Sequence, residues 1–172
     1  MTIIIRTETE KDYGGIREVN IRAFGNREDE ANLVDRIRKS KGFLPSLSLV
    51  AEEEGTIIGH LLISKAEVVG EGSVHEVLVL APIAVEPSRQ KQGIGGRLIE
   101  EGLSRCRQLD YDVLLLIGHP EYYPRFGFRP ARPLGLELKQ FPVPDEVFMG
   151  LELKEGGWSR VRGELKYPEA FL

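Results

Sequence analysis

The sequence predicts an α/β protein in which a mixed sheet carries helices on both faces. Three observations lead there. Residues 46–87 read as apolar strands joined by turns too short to cross over a sheet, which makes that part of it an antiparallel meander. Residues 80–120 read as strand, glycine-dense turn, amphipathic helix and strand, the pattern of one right-handed parallel crossover. A chain of 172 residues, 41% hydrophobic and without a linker-like stretch, supports a single domain over residues 1–172.

The elements follow in order. "TIIIRT" (2–7) is a first strand by its β-branched run. "ETEKDYGGIREVNIRAF" (8–24) is a helix with Ile16, Val19 and Ala23 at helical spacing, weakened near its start by Gly14-Gly15. "REDEANLVDRIRKS" (27–40) is a second helix, with Ala31, Val34, Ile37 and Arg38 on one stripe. "SLSLVAEEEGTIIGHLLISKAEVV" (46–69) holds a strand, a turn at Glu54-Gly55 and a longer strand. The loop "GEGS" (70–73) leads to a third strand of the meander, "VHEVLVLAPIAVEP" (74–87). The next helix places Ile94, Leu98, Gly102 and Cys106 on one face and charges opposite. "DVLLLIGHP" (112–120) is nearly continuously apolar, as a strand buried on both faces and parallel to its neighbour would be. The last third is proline-rich and less periodic, although "EVFMGLELK" (146–154) still reads as a strand.

Composition narrows the function classes. A formal net charge of −4 argues against general nucleic-acid binding, which needs a basic stripe, and suits an amine better than a polyanion. No apolar run approaches the roughly 18 residues of a membrane helix. The start "MTIIIRTETEKDY" lacks the basic and apolar regions of a secretory signal. With Cys106 unable to pair internally, these features point to the cytoplasm. His60, His75 and His119 are widely separated and match no metal spacing, so no metal is expected.

The stretch "AVEPSRQKQGIGGRLIEEGLSRC" (84–106) is the most informative. Glycines at the mouth of a helix bring backbone amides close to a ligand, commonly a phosphate. The mononucleotide GxxxxGK[ST] and dinucleotide GxGxxG patterns both fail on spacing, and QxxGxG, spelled by Gln90, Gly93 and Gly95, is what is left. "LAPIAVEPSRQKQGIGGRLIEEGL" (80–103) resembles the acetyl-CoA binding segment of the GNAT superfamily of N-acetyltransferases. "YYPRFGFRP" (122–130), with Tyr123 four residues before Gly127-Phe128, is similar to a second segment of that family. The resemblance covers about residues 2–131, with a C-terminal strand and tail over 132–172, and "GHPEYYPRFGF" (118–128) and "VPDEVFMGLEL" (143–153) look like an uncharacterised bacterial branch of the family. It implies a GNAT-like central sheet of six or seven strands and an acetyl-CoA dependent acyltransferase that modifies a primary amine of a small molecule or peptide.

The resemblance also implies roles for residues. Arg89, Gln90, Lys91, Gln92, Gly93, Ile94, Gly95 and Gly96 would surround the pyrophosphate of coenzyme A, and the backbone of Ile83, Ala84 and Val85 would pair with its pantetheine arm. Pro82 would help to end regular pairing there or merely kink the strand. Tyr123 matches the general acid for the departing thiolate, provided that Pro124 falls in the first turn of its helix; otherwise Tyr122 takes the role, or neither does. His119 lies near the pantetheine or is a surface or capping residue. Candidates for the base are Glu30, His75 and Glu76, with loss of the proton through water as the alternative. Cys106 reads as a buried hydrophobe. Homodimers are common in the family, and the sequence does not distinguish them from monomers. Two rival readings stand beside the enzyme: a non-catalytic acyl-CoA binding or sensing module, and an interaction protein that keeps only the fold.

Overall fold

The computed structural model describes Thr2–Leu172. Among the described residues, nine strands hydrogen-bond in a mixed sheet, two or three more than expected, and no helix is long and apolar enough to cross a membrane. The surplus comes from β6 (Arg129–Pro130), β7 (Leu136–Leu138) and β9 (Gly163–Lys166), each too short to show an alternating pattern. The chain divides into two units, residues 1–64 with 81–105 and residues 65–80 with 106–172. Two strands, β3 (Thr56–Gly70) and β4 (Ser73–Val85), and the helix α3 (Ile94–Arg107) contribute residues to both.

In the first unit β1 (Ile3–Thr7), β2 (Ser48–Glu53) and the first half of β3 form the predicted antiparallel meander, in register at Ile5↔Ala51 and Leu49↔Leu61. The β2–β3 turn has positive φ at both Glu54 and Gly55, the twist that a tight hairpin requires. The register passes from Ala51↔Gly59 to Glu52↔Ile57, so Ile58 is an extra residue and the strand bulges there. A bulge exchanges faces. Beyond it Gly59 packs under Leu98 and Ile94 of α3, whereas Ile57 turns to the other face and meets Gly15 of α1 (Tyr13–Ala23). Helices thus lie on both faces, α3 on one and α1, paired with α2 (Asp29–Arg38), on the other. The first helix starts later than the sequence pattern suggests, because Thr9 and Asp12 form a capping box around the short 3-10 turn Glu10–Asp12.

Between the sheet and α1 lies a buried polar chain. His60 on β3 has no exposed surface, and its ring lies between Asn20 Nδ2 (3.2 Å from Nδ1) and Ser48 Oγ (3.1 Å from Nε2). Ser48 donates to Glu8 Oε1 at 2.5 Å, and Arg38 donates to both oxygens of Glu8 at 3.0 Å. Arg38 therefore ends the helical stripe in a nearly buried ion pair.

In the second unit the parallel register of β4 with β5 (Val113–Ile117) is Leu78↔Leu114 and Val79↔Leu115, as the crossover predicts. β5 pairs along its length with antiparallel β8 (Phe148–Glu152), and β8 also pairs with β6. β7 runs parallel to β9, which pairs antiparallel with the second half of β3. Phe148, Leu115 and Val161 lie in one hydrophobic core. The short helix α4 (Gly157–Arg160) sets Trp158 over Gly150, where an added Cβ would stand 2.5 Å from the indole.

Candidate active site

The glycine-dense turn belongs to the first unit. β4 runs through the buried Pro82, whose preceding peptide bond is cis, and continues to Val85, so this proline does not end the strand. A 3-10 turn at Pro87–Arg89 follows, then Lys91 and Gly93 with φ of +64° and +83°. The first helical bond of α3 runs from Arg97 N–H to Gly93 O at 3.1 Å, so the N–H groups of Ile94, Gly95 and Gly96 precede it. Alternating left-handed residues before a helix N-terminus turn successive amides toward one point, which favours an anion. Gln90 is exposed and its amide donates to Val85 O at 3.2 Å, bracing the turn from inside rather than reaching out of it.

Charged side chains hold the turn in place. Glu86 N–H donates to Ile58 O at 2.9 Å, and the Glu86 carboxylate takes Arg22 of α1 at 2.7 Å. Arg89, which flanks the turn, donates both ends of its guanidinium to Glu53 on β2, and its Nε donates to Gln92 Oε1 at 3.1 Å. That pairing holds the Glu53 carboxyl below its ordinary value. Glu53 and Arg22 escaped the sequence reading, because no pattern announces a partner 36 or 64 positions away.

Tyr123 belongs to the second unit. β5 ends at Ile117, Gly118 N–H donates to Val147 O at 2.9 Å, and the chain folds back so that Tyr122 N–H donates to His119 O at 3.1 Å. A 3-10 turn begins at Tyr123, with Pro124 in its first turn, where the missing N–H is tolerated, and it closes on left-handed Gly127. The condition set for Tyr123 is therefore met. Its ring is 7% exposed and meets Phe128 and Tyr122 edge-on at 5.7 and 5.2 Å between centroids. Burial, with a smaller effect of Tyr122, pushes its phenol up to about 12, so it keeps its proton across the whole neutral range. His119 is exposed and contributes its carbonyl to the fold of this loop.

Each proposed base has a partner of its own. His75 bonds to Asp112 at 3.0 Å, just before β5, and Arg160 holds the other oxygen of that carboxylate at 2.7 Å. Asp112 and Gly118 lie at opposite ends of β5, about 20 Å apart at strand rise, so the His75 pair is a fastening at the far end of the strand from Tyr123. Glu76 accepts from the Tyr111 hydroxyl at 3.3 Å. Glu30, on the first turn of α2, is ion-paired to Arg27. Cys106 is buried, which raises its thiol to about 12 and makes it a poor nucleophile. Among the described residues no cluster of three or more His, Cys, Asp or Glu is placed to hold a metal.

Comparison with known proteins gives one consistent result. Residues 4–131 match the family model described as an acetyltransferase (GNAT) domain. The chain is 39% identical over 135 residues, 78% of its length, to the uncharacterized N-acetyltransferase YjhQ of Escherichia coli (strain K12), covering 74% of that protein. It is 33% identical over 170 residues to the uncharacterized N-acetyltransferase YhbS of the same strain, with 98% of each chain covered. The crystal structure of Escherichia coli YhbS in complex with CoA superposes with a TM-score of 0.88 at 30% identity, over 98% of this chain and 91% of that one. A GNAT family acetyltransferase from Brucella melitensis, in complex with acetyl-CoA, gives 0.79 at 32% identity over 99% of both chains. The family model spans most of the chain and the relatives agree with it, so the chain belongs to the GNAT acetyltransferase family.

Proposed function

We propose that the chain, acting as a single N-acetyltransferase domain in the cytoplasm, moves the acetyl group of acetyl-CoA to a primary amine of a small molecule or peptide. The observation that carries this reading is the turn Gln90–Gly96. It is exposed from Gln90 to Gly93, reaches left-handed φ twice and ends in helix amides ahead of the first helical bond, which suits a pyrophosphate. The Gly93 position fits as well, since nothing lies within 4 Å of where a Cβ would stand. When bound, acetyl-CoA supplies an acetyl thioester.

The chain's own residues do the rest. Ile94, Gly95 and Gly96 offer their N–H groups to the pyrophosphate, and exposed Lys91 adds positive charge beside them. The backbone of Ile83, Ala84 and Val85, at the end of β4, aligns the pantetheine arm. The neutral amine attacks the thioester carbonyl, a C–N bond forms, the C–S bond breaks, and the Tyr123 hydroxyl gives its proton to the departing sulfur. The amine proton leaves to water, and solvent restores the phenol. The net charge of −4 supports a cationic amine as the approaching acceptor.

Calorimetric titration of acetyl-CoA into the native chain and the Gly95→Asp variant tests the reading. An aspartate in the first turn of α3 favours the helix while repelling a pyrophosphate, so the variant folds and loses binding. Equal binding by both removes the turn from the cofactor site. Binding without any amine-dependent release of CoA favours an acyl-CoA binding module.

A further inference from the structure

Gly118 has a glycine that its backbone does not require. Its φ lies outside the left-handed region, and its N–H continues the β5–β8 ladder with a 2.9 Å bond to Val147 O. What forbids a side chain is space. A Cβ built on Gly118 would stand 2.3 Å from Cε2 and 2.8 Å from Cδ2 of Tyr123, with Leu116 Cδ1 next at 3.1 Å. The tyrosine ring lies directly against the bare Cα, held from its edges by Phe128 and Tyr122.

We infer that Gly118 is a positioning residue for the acid. By having no side chain it fixes the depth at which the Tyr123 ring sits, and so where the hydroxyl stands. This rests on the reading of Tyr123 as proton donor. Ordinary carbon contacts begin near 3.4 Å, so alanine at 118 drives the ring outward by about 1 Å. Tyr122 and Phe128 border the ring edge-on and resist its sliding sideways at constant depth. A displacement of that size costs on the order of 10²-fold in rate when a reacting group is involved. Because the arm and pyrophosphate contacts are made by residues 83–96, acetyl-CoA affinity is untouched.

The experiment compares the native chain, Gly118→Ala, Tyr123→Phe and the double variant. Acetyl-CoA is the donor, glycinamide and water are the acceptors, and release of CoA thiol is the signal. Since any nucleophile must expel the same thiolate, both acceptors report on the acid. The expected result is a kcat for Gly118→Ala lowered about 10²-fold, a KM for acetyl-CoA within about threefold, and a double variant no slower than Tyr123→Phe. Full kcat in Gly118→Ala, or two losses that multiply, overturns the proposal.

Ultraviolet titration of tyrosinate gives a reading that does not depend on turnover. In Gly118→Ala one phenol ionises closer to 10 than in the native chain, and that change is missing from the double variant; an unaltered titration overturns the seating of the ring on Gly118. If Tyr123→Phe keeps full kcat, the acid assignment fails, while the titration still decides whether Gly118 seats the ring. If Gly118→Ala does not fold, the same substitution in a Tyr123→Ala background must fold, since the ring supplies the two closest atoms; failure of both overturns the inference.

Discussion

Acidification removes stability at His60, on β3 beneath α1. His60 is fully buried, and burial, reinforced by the positive charge of Arg38, holds its imidazole down at about 3 against an ordinary 6.5. Glu8 lies 3.8 Å away, with its oxygens already occupied by Arg38 and Ser48. Neutral imidazole satisfies the whole chain of bonds. Asn20 donates to Nδ1, Nε2–H donates to Ser48, and Ser48 donates to Glu8. The native value lies below the unfolded one, so the contribution to stability is complete above pH 6.5 and is lost as pH falls toward 3. Between pH 7 and pH 4.5 the unfolded chain binds nearly one proton more at this site, which costs roughly 2.5 kcal/mol. His60→Gln replaces the titrating ring with an amide. Urea unfolding followed by circular dichroism at pH 7 and 4.5 should show that the variant, whatever its stability at pH 7, loses roughly 2.5 kcal/mol less on acidification than the native chain. Equal losses in the two proteins would refute the argument.

Three further outcomes are expected. Asp12 accepts two bonds from Arg6, at 2.7 and 2.9 Å, which hold its carboxyl at about 2, so above pH 4 it contributes about 2 kcal/mol that disappears as pH falls through 2; Asp12→Asn abolishes that difference in acid unfolding curves. Glu53→Gln releases the Arg89 guanidinium beside the turn, and acetyl-CoA should bind two- to threefold tighter at low ionic strength, on the order expected for one uncompensated charge, with the gain erased by salt. Weaker binding at every salt concentration would instead show that loss of the brace outweighs the freed charge. Iodoacetamide at pH 8 should leave Cys106 unmodified in the native protein and alkylate it in urea, as mass spectrometry would show.

The meander and the crossover were legible because short turns leave few topologies and because long strands show their pattern. The turn was legible because Gln90, Gly93 and Gly95 stand close together in sequence. The last third was not. β6 and β7 span two and three residues, and their strand character comes from partners rather than from periodicity. Side-chain partners were equally hidden: Arg89 looked like a phosphate ligand until the fold brought Glu53 to it. His75 and Tyr123 both looked catalytic, and only the length of β5 separates them. Gly118 read as the end of a strand, since a glycine kept for the ring of another residue has no signature of its own.

The bulge at Ile58 has a thermodynamic consequence for the turn that begins 32 positions downstream in the chain, at Gln90. Its carbonyl takes the amide of Glu86, while Arg22 and Glu53 grip the turn by Glu86 and Arg89. A loop fastened at these points cannot behave as a swinging flap. The rotamer freedom that many phosphate loops surrender on association, about 0.5–1.5 kcal/mol for each immobilised side chain, is here given up during folding. Recruitment of the nucleotide should thus resemble docking onto a rigid surface, with a small entropic penalty and an association rate governed by diffusion rather than by closure.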